Sequence, residues 1–312
     1  MTGALGTVTR VDSRVCWVRC DDGALRKCSL RGRLFHSDSE ARNPVAVGDR
    51  VELSAGEHEE EGRVEAVLPR RNKLSRPVAA SAGRFEQVIV ANVDCLAVVV
   101  AAAEPRLRPG LIDRYLIVAG RQRIEPVVVV NKIDLVDRAA LAAALAVFHE
   151  LGERLVYTSA TRGDGLAELR QILAGKRTVF AGHSGVGKSA LLSALVPGLD
   201  LETRRVSRKT DRGVHTTTRV TLFELEGGGA LIDTPGVRAL GLWRIEPEEV
   251  DAYFREITAA ARQCRFRGCT HDHEPGCAVK AAVEAGAIDA RRFASFRRIF
   301  VSLAEERRER GY

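Results

Sequence analysis

The sequence predicts three units in a row: an all-β barrel, an α/β domain on a mostly parallel sheet, and a small helical domain organised by a metal. Three observations lead there. Up to about Pro69 the chain carries short strands and turn signals with no helical period. The middle alternates continuously apolar runs, Leu96-Ala97-Val98-Val99-Val100 and Val127-Val128-Val129-Val130, with helix-length stretches; strands buried on both faces of a parallel sheet read this way. Near the end, three cysteines and two histidines crowd between Cys264 and Cys277, a density typical of side chains that close on one ion.

The 312 residues leave room for two or three cores, and 45% hydrophobic with 29% charged residues is the balance of a globular protein. A formal charge of +7 is compatible with a nucleic-acid partner. The longest apolar run, Cys95 to Ala103, is too short to span a membrane. The first ten residues lack the basic-then-apolar pattern of a secretory segment. The expectation is therefore a cytoplasmic chain off the membrane, monomeric, in which Cys16, Cys20, Cys28 and Cys95 form no disulfide framework.

The barrel is assigned residues 1–72. Val8, Val11 and Val15 to Val18 are strand-like, Asp21-Asp22-Gly23 signals a hairpin, and Ala24 to Leu30, Val51 to Leu53 and Gly62 to Leu68 supply further strands. About five short strands make an OB-fold one candidate. Arg26, Lys27, Arg31 and Arg33 cluster at one strand end, as a solvated or an RNA-contacting patch. Pro69 to Pro77 is polar and proline-bounded, and residues 73–84 are read as a linker. The α/β domain is assigned 85–243 and the C-terminal domain 244–312.

Gly182-His183-Ser184-Gly185-Val186-Gly187-Lys188-Ser189 fits the phosphate-loop pattern, with a strand reading before it and a helix reading from Ala190. Backbone N–H groups of such a loop, and the helix N-terminus behind it, face bound phosphates. Lys188 would reach the β- and γ-phosphates, and Ser189 would hold Mg²⁺. Asn131-Lys132-Ile133-Asp134 follows the strand Val127 to Val130 at the end where ligands bind in such sheets. The Asp134 carboxylate can accept from guanine N1–H and the exocyclic amine, and adenine offers no matching donors. Asn131 can brace the loop and face guanine N7, while the stem of Lys132 can lie over the base. Ser159 and Ala160, in the loop after Leu155 to Tyr157, are placed to present N–H groups to guanine O6. Asp233-Thr234-Pro235-Gly236 matches Asp-x-x-Gly: Asp233 would hold Mg²⁺ through water, and the Gly236 N–H would sense the γ-phosphate. Thr217 is the threonine of 216–218 expected in the Mg²⁺ shell.

The order of these motifs departs from that of ordinary GTPases. Base-reading residues come first, the phosphate loop next, Asp-x-x-Gly last. The domain therefore reads as circularly permuted, which places the segment after Gly236 directly before the C-terminal domain, where nucleotide-dependent movement can pull on it. Val237 stands where Ras-like enzymes carry a water-positioning glutamine, so intrinsic turnover is expected to be slow. His215 is the nearby candidate catalytic residue, with a solvated loop histidine as the alternative. Arg204, Arg205, Arg208, Lys209 and Arg212 make the loop before it basic.

Cys264, Cys269 and Cys277 with His271 or His273 offer thiolates and an imidazole, enough to fill a tetrahedral Zn²⁺ shell with no open position, and hence a structural site. Beyond them Phe293, Phe296, Ile299, Phe300 and Leu303 recur on one helical face, while Arg291, Arg292, Arg297 and Arg298 fall largely elsewhere, as solvated or RNA-contacting residues.

These motifs, in this order, resemble the ribosome small subunit-dependent GTPase A (RsgA, or YjeQ) family over nearly the whole chain. The resemblance rests on Asn131 to Asp134, Gly182 to Ser189, His215 to Thr218, Asp233 to Gly236, and His271-Asp272-His273-Glu274-Pro275-Gly276-Cys277. It implies an OB-fold, a permuted GTPase domain and a zinc domain with His271 as the fourth ligand. It also implies late maturation of the small ribosomal subunit, contact with its rRNA, GTP hydrolysis to GDP stimulated by that subunit, and a catalytic role for His215. The alternative is an rRNA clamp that uses GTP as a conformational ligand with negligible hydrolysis; Val237 keeps it in view.

Overall fold

The computed structural model describes residues 4–12, 14–35, 43–56, 60–78, 85–196, 220–225, 227–233, 242 and 244–309. His215, Thr217, Gly236, Val237 and the basic segment 204–212 lie outside the described residues, as do residues 79–84 of the expected linker.

Five strands, β1 (Ala4–Asp12), β2 (Val15–Cys20), β3 (Leu25–Leu30), β4 (Arg50–Ala55) and β5 (Glu61–Val67), run in the order β1-β2-β3-β5-β4, and β4 pairs back to β1. The barrel is thus closed, with β3 and β5 parallel and its other pairs antiparallel, the arrangement of an OB-fold. Alternation along the strands puts Val8, Cys16, Val18, Cys28, Val51, Leu53 and Val64 inside. The β2–β3 hairpin turns at Gly23, whose φ of 86° suits a residue without Cβ.

The polar stretch expected as linker is only partly one. Lys73–Pro77 is a strand, β6, paired antiparallel with β7 (Glu86–Ala91). Around it the barrel is tied to the first strands of the central domain. Arg70 grips the fully buried Asp49 with two hydrogen bonds of 2.7 and 2.8 Å, Arg71 reaches Asp94 at 2.6 Å, and the Asn92 amide donates to the Gly48 carbonyl at 3.0 Å. The prolines and charges that read as loop chemistry are here a polar joint.

The central sheet contains β8 (Cys95–Ala101), β9 (Glu125–Asn131), β10 (Leu155–Tyr157), β11 (Arg177–Ala181), β12 (Thr221–Glu224) and β13 (Ala230–Asp233), ordered β10-β9-β8-β11-β13-β12. The first five in that order are parallel, and β12 is antiparallel to β13. β12 touches β1 at the Thr221–Arg10 pair, so the sheet continues into the barrel. Helices α1 (Pro109–Gln122), α2 (Arg138–Glu150), α3 (Leu166–Leu173) and α4 (Lys188–Leu195) cover the sheet. α2 shows why such segments are helical. The Asp137 carboxylate caps the N–H groups of Ala139 and Ala140, and Leu141, Leu145 and Phe148 recur at helical spacing to bury one face.

A 3₁₀ turn (Pro247–Tyr253) leads into α5 (Arg255–Ala261), α6 (Ala278–Glu284) and α7 (Ala290–Glu309). Phe254, Ile257, Phe296, Ile299 and Leu303 join the same core as Val98 and Ile117 of the α/β domain. The helical unit is therefore packed onto the central domain. Arg292 belongs to this contact and is corrected from the solvated or RNA-contacting set. It is 5% exposed, pairs with buried Asp113 of α1, donates to Glu256 at 2.7 Å and lies 4.4 Å from the Phe254 ring centre. Burial lifts the Asp113 carboxyl above the usual aspartate value even though Arg292 opposes the shift. Arg297 is likewise engaged, with Asp272. No helix among the described residues is long and apolar enough to cross a membrane.

Candidate nucleotide and metal sites

The carboxyl ends of β9, β10, β11 and β13 converge on one edge of the sheet, and each carries one of the motifs. The loop after β11 turns from Gly182 to Gly187 and opens α4 at Lys188. Gly187 has φ 92°, and a Cβ there would collide with the Asn131 amide, so only glycine lets these two loops meet. The Lys188 ammonium folds over the loop and donates to the Gly182 and His183 carbonyls, both at 2.6 Å. Ser189 and Ala190 lie in the first turn of α4. A loop of this shape directs N–H groups and a positive helix end into one hollow, which suits phosphate.

Asn131 joins the loops. It is 1% exposed, and its Nδ2 donates to the Val186 carbonyl at 3.0 Å. Its Oδ1 accepts from Thr158 Oγ1 and from the Ala160 N–H, each at 3.2 Å. One side chain thereby fixes the phosphate loop against the loop after β10. Lys132 has left-handed φ and ψ of 64° and 36°, and its ammonium is held by the Glu104 carbonyl. Ile133 is buried and pins the short helix that carries Asp134. The Ser159 hydroxyl hydrogen-bonds the Asp134 carboxylate and holds it below the usual aspartate value. The group is therefore ionised at neutral pH and able to accept two hydrogen bonds from a base edge. Ser159 is itself positioned by Thr161 and by the Arg162 N–H.

Asp233 ends β13, one residue past Ile232, which pairs with Val179 of β11. It thus lies one strand over from the root of the phosphate loop. Two contributors are absent from the motif reading. Thr158 is fully buried and supports Asn131. Tyr115 of α1 accepts a hydrogen bond from the Gly182 N–H, while burial raises its phenol above the ordinary value. Thr158 stands next to a recognised pair; Tyr115 carries no sequence signal, being one apolar-face position of an ordinary helix.

The candidate metal-ligating side chains also come together. One ligand atom from each of Cys264, Cys269, His271 and Cys277 lies within 4.8 Å of the others. His271 Nδ1 is 3.4 Å from Cys277 Sγ and 3.7 Å from Cys264 Sγ, and the two sulfurs are 4.0 Å apart. Bonds of about 2.3 Å to sulfur and 2.0 Å to nitrogen give tetrahedral edges of roughly 3.5–3.8 Å, so the donor set fits a zinc-sized ion. The Lys280 N–H points at Cys277 Sγ at 3.5 Å. Burial raises the Cys264 thiol, but the N–H groups of Val279 and Ala278 together with hydrogen bonds to Cys277 and Cys269 leave it below the ordinary value. Such N–H donors are the outer support that thiolate ligands need. His273, the rival histidine, is exposed and outside the cluster.

A family model described as RsgA GTPase matches residues 67–243, more than half of the chain. The chain belongs to the RsgA GTPase family. A small ribosomal subunit biogenesis GTPase RsgA from Ectopseudomonas mendocina is 43% identical over 281 residues, covering 89% of this chain and 80% of that protein. An RsgA of the same description from Chlorobaculum parvum is 41% identical over 306 residues, 96% and 98% of the two chains. Among solved structures, YjeQ from Thermotoga maritima aligns with a TM-score of 0.77 at 35% identity, over 96% of this chain and 98% of that one. YloQ, described as a circularly permuted GTPase, aligns with 0.73 at 28% identity, over 96% and 95%. The permuted motif order of this RsgA-family chain is therefore shared by a solved relative over essentially its full length.

Proposed function

We propose that this chain is a GTPase that binds the small ribosomal subunit, assists its late maturation, and hydrolyses GTP to GDP and phosphate with turnover raised by the subunit. The observation that carries the reading is Asn131. A buried amide that ties a base-reading loop to a phosphate loop is what one nucleotide spanning both loops requires. Asp134 and the Ser159–Ala160 loop take the guanine, Gly182 to Lys188 take the phosphates, and Lys188 exchanges its loop carbonyls for phosphate oxygens. Ser189, Asp233 and Thr217 would hold Mg²⁺, which when bound neutralises charge on the β- and γ-phosphates. Gly236 and His215 complete the proposed site, with His215 positioning the attacking water that Val237 cannot. The Cys264, Cys269, His271 and Cys277 cluster would hold one structural Zn²⁺ that knits α6 and the loops before it, in a segment too short for a large core of its own. The names of the relatives and the basic net charge of +7 support the small subunit and its rRNA as partners. The test is GTP hydrolysis with and without purified small subunits, with ATP as control. Stimulation confined to GTP is expected; equal hydrolysis of ATP, or subunit binding that depends on GTP without any stimulation, would overturn the enzyme reading.

A further inference from the structure

The loop between the first two metal-ligating cysteines carries an aromatic side chain that the fold leaves outside. Phe266 is 45% exposed, whereas Phe254 and Phe296 nearby are buried. It sits two residues after Cys264 and three before Cys269, on a turn closed by the Arg265 N–H bond to the Gly276 carbonyl. Arg262, Arg265 and Arg267 flank it in the chain, all exposed. None of the three has a carboxylate within ion-pair distance among the described residues, in contrast to Arg291, Arg292, Arg297 and Arg307 of the same domain, which are paired. The Arg265 guanidinium lies over the Phe266 ring, 5.5 Å from its centre, and the ring still keeps its exposure.

An exposed ring costs free energy of hydration, and three unpaired cations repel one another. Both costs are relieved by a partner that is flat, apolar on its face and negatively charged along its backbone. We propose that the Arg262–Arg267 loop is a stacking platform for unpaired nucleotides of RNA: a base stacks on Phe266 while Arg262, Arg265 and Arg267 contact the flanking phosphates. This rests on the ribosomal reading above and names a surface for it. A duplex fits less well, because its base faces are already stacked.

The experiment uses the full-length zinc-loaded chain and a fluorescein-labelled single-stranded oligoadenylate of about twelve nucleotides. A duplex RNA and a polyglutamate peptide of similar length serve as comparisons. Phe266→Ala is expected to weaken single-strand binding roughly five- to a hundred-fold, the range seen for loss of one stacked base. Phe266→Trp is expected to restore it, with indole emission quenched saturably by the oligonucleotide; Phe266→Leu, apolar but without a π face, is not. Arg265→Ala and Arg267→Ala should each lower the salt slope by about 0.7. Unchanged binding by Phe266→Ala, or polyglutamate binding as tight as RNA and equally sensitive to that change, would overturn the proposal. Zinc content and circular dichroism of each variant report its fold. Wild-type GTP hydrolysis with small subunits separates the two readings: stimulation with Phe266 silent in the RNA assay removes the platform alone, whereas absent stimulation with Phe266-dependent RNA binding intact removes the stimulated-GTPase reading and leaves the platform.

Discussion

Asn131→Ala tests the central geometric claim, because one buried amide makes three hydrogen bonds to two loops: Val186 on one side, Thr158 and Ala160 on the other. Each buried bond contributes about 0.5–1.5 kcal/mol net, so the three together are worth roughly 1.5–4.5 kcal/mol. Without the amide the phosphate loop loses its hydrogen bond to the loops that face the base, so the loss is expected in nucleotide affinity. At about 1.4 kcal/mol per tenfold, GDP should bind roughly ten- to a thousand-fold more weakly. Thr158→Val removes one of the three bonds and should cost about two- to tenfold. Asn131→Asp keeps the acceptor but turns an oxygen toward the Val186 carbonyl, and should be no better than alanine. The assay is titration with a fluorescent GDP analogue, with urea unfolding in parallel to confirm that each variant is folded. A folded Asn131→Ala chain that binds GDP within twofold of wild type would refute the reasoning, since the loops would then be held by something else.

Further variants probe the nucleotide site, the metal cluster and the contact between domains. Asp134→Asn replaces an acceptor that the Ser159 hydroxyl keeps ionised, so preference should swing from GTP toward xanthosine triphosphate; competition binding that still favours GTP by the wild-type margin would remove the base-reading role. His271→Ala should lose the metal and His273→Ala keep it, measured as zinc per chain after dialysis, because only the former has its nitrogen beside the sulfurs. Arg292→Met strips the cation from Asp113, whose side chain is only 2% exposed, and should destabilise by about 3–5 kcal/mol in urea unfolding. Adding Asp113→Asn should recover part of that loss by removing the stranded charge.

The nucleotide motifs are legible in the chain because their chemistry is local: the phosphate loop, the Asn131 to Asp134 loop and Asp233 each need a fixed spacing at a strand end, and spacing is written in the chain. Lys73–Pro77 reads as linker because β6 buries only Leu74 and owes its extended form to its partner β7. A strand that short and polar has no pattern of its own. Arg292 reads as a surface residue for a related reason. A buried arginine and a solvated one look alike until the carboxylates of α1 and α5 are placed around it.

By itself, then, the sequence determined the alternating core of the barrel, the βα rhythm of the central domain, the permuted order of the motifs and the clustering of the three cysteines. All of these depend on periodicity or on short separations. Tertiary structure alone decided that β12 meets β1, that Arg70 and Asp49 anchor the barrel, that Asn131 rather than a neighbour joins two loops, and that His271 instead of His273 turns inward. Each of those depends on groups that are distant in the chain or on the direction of one side chain, and the order of residues leaves both open until the core closes around them.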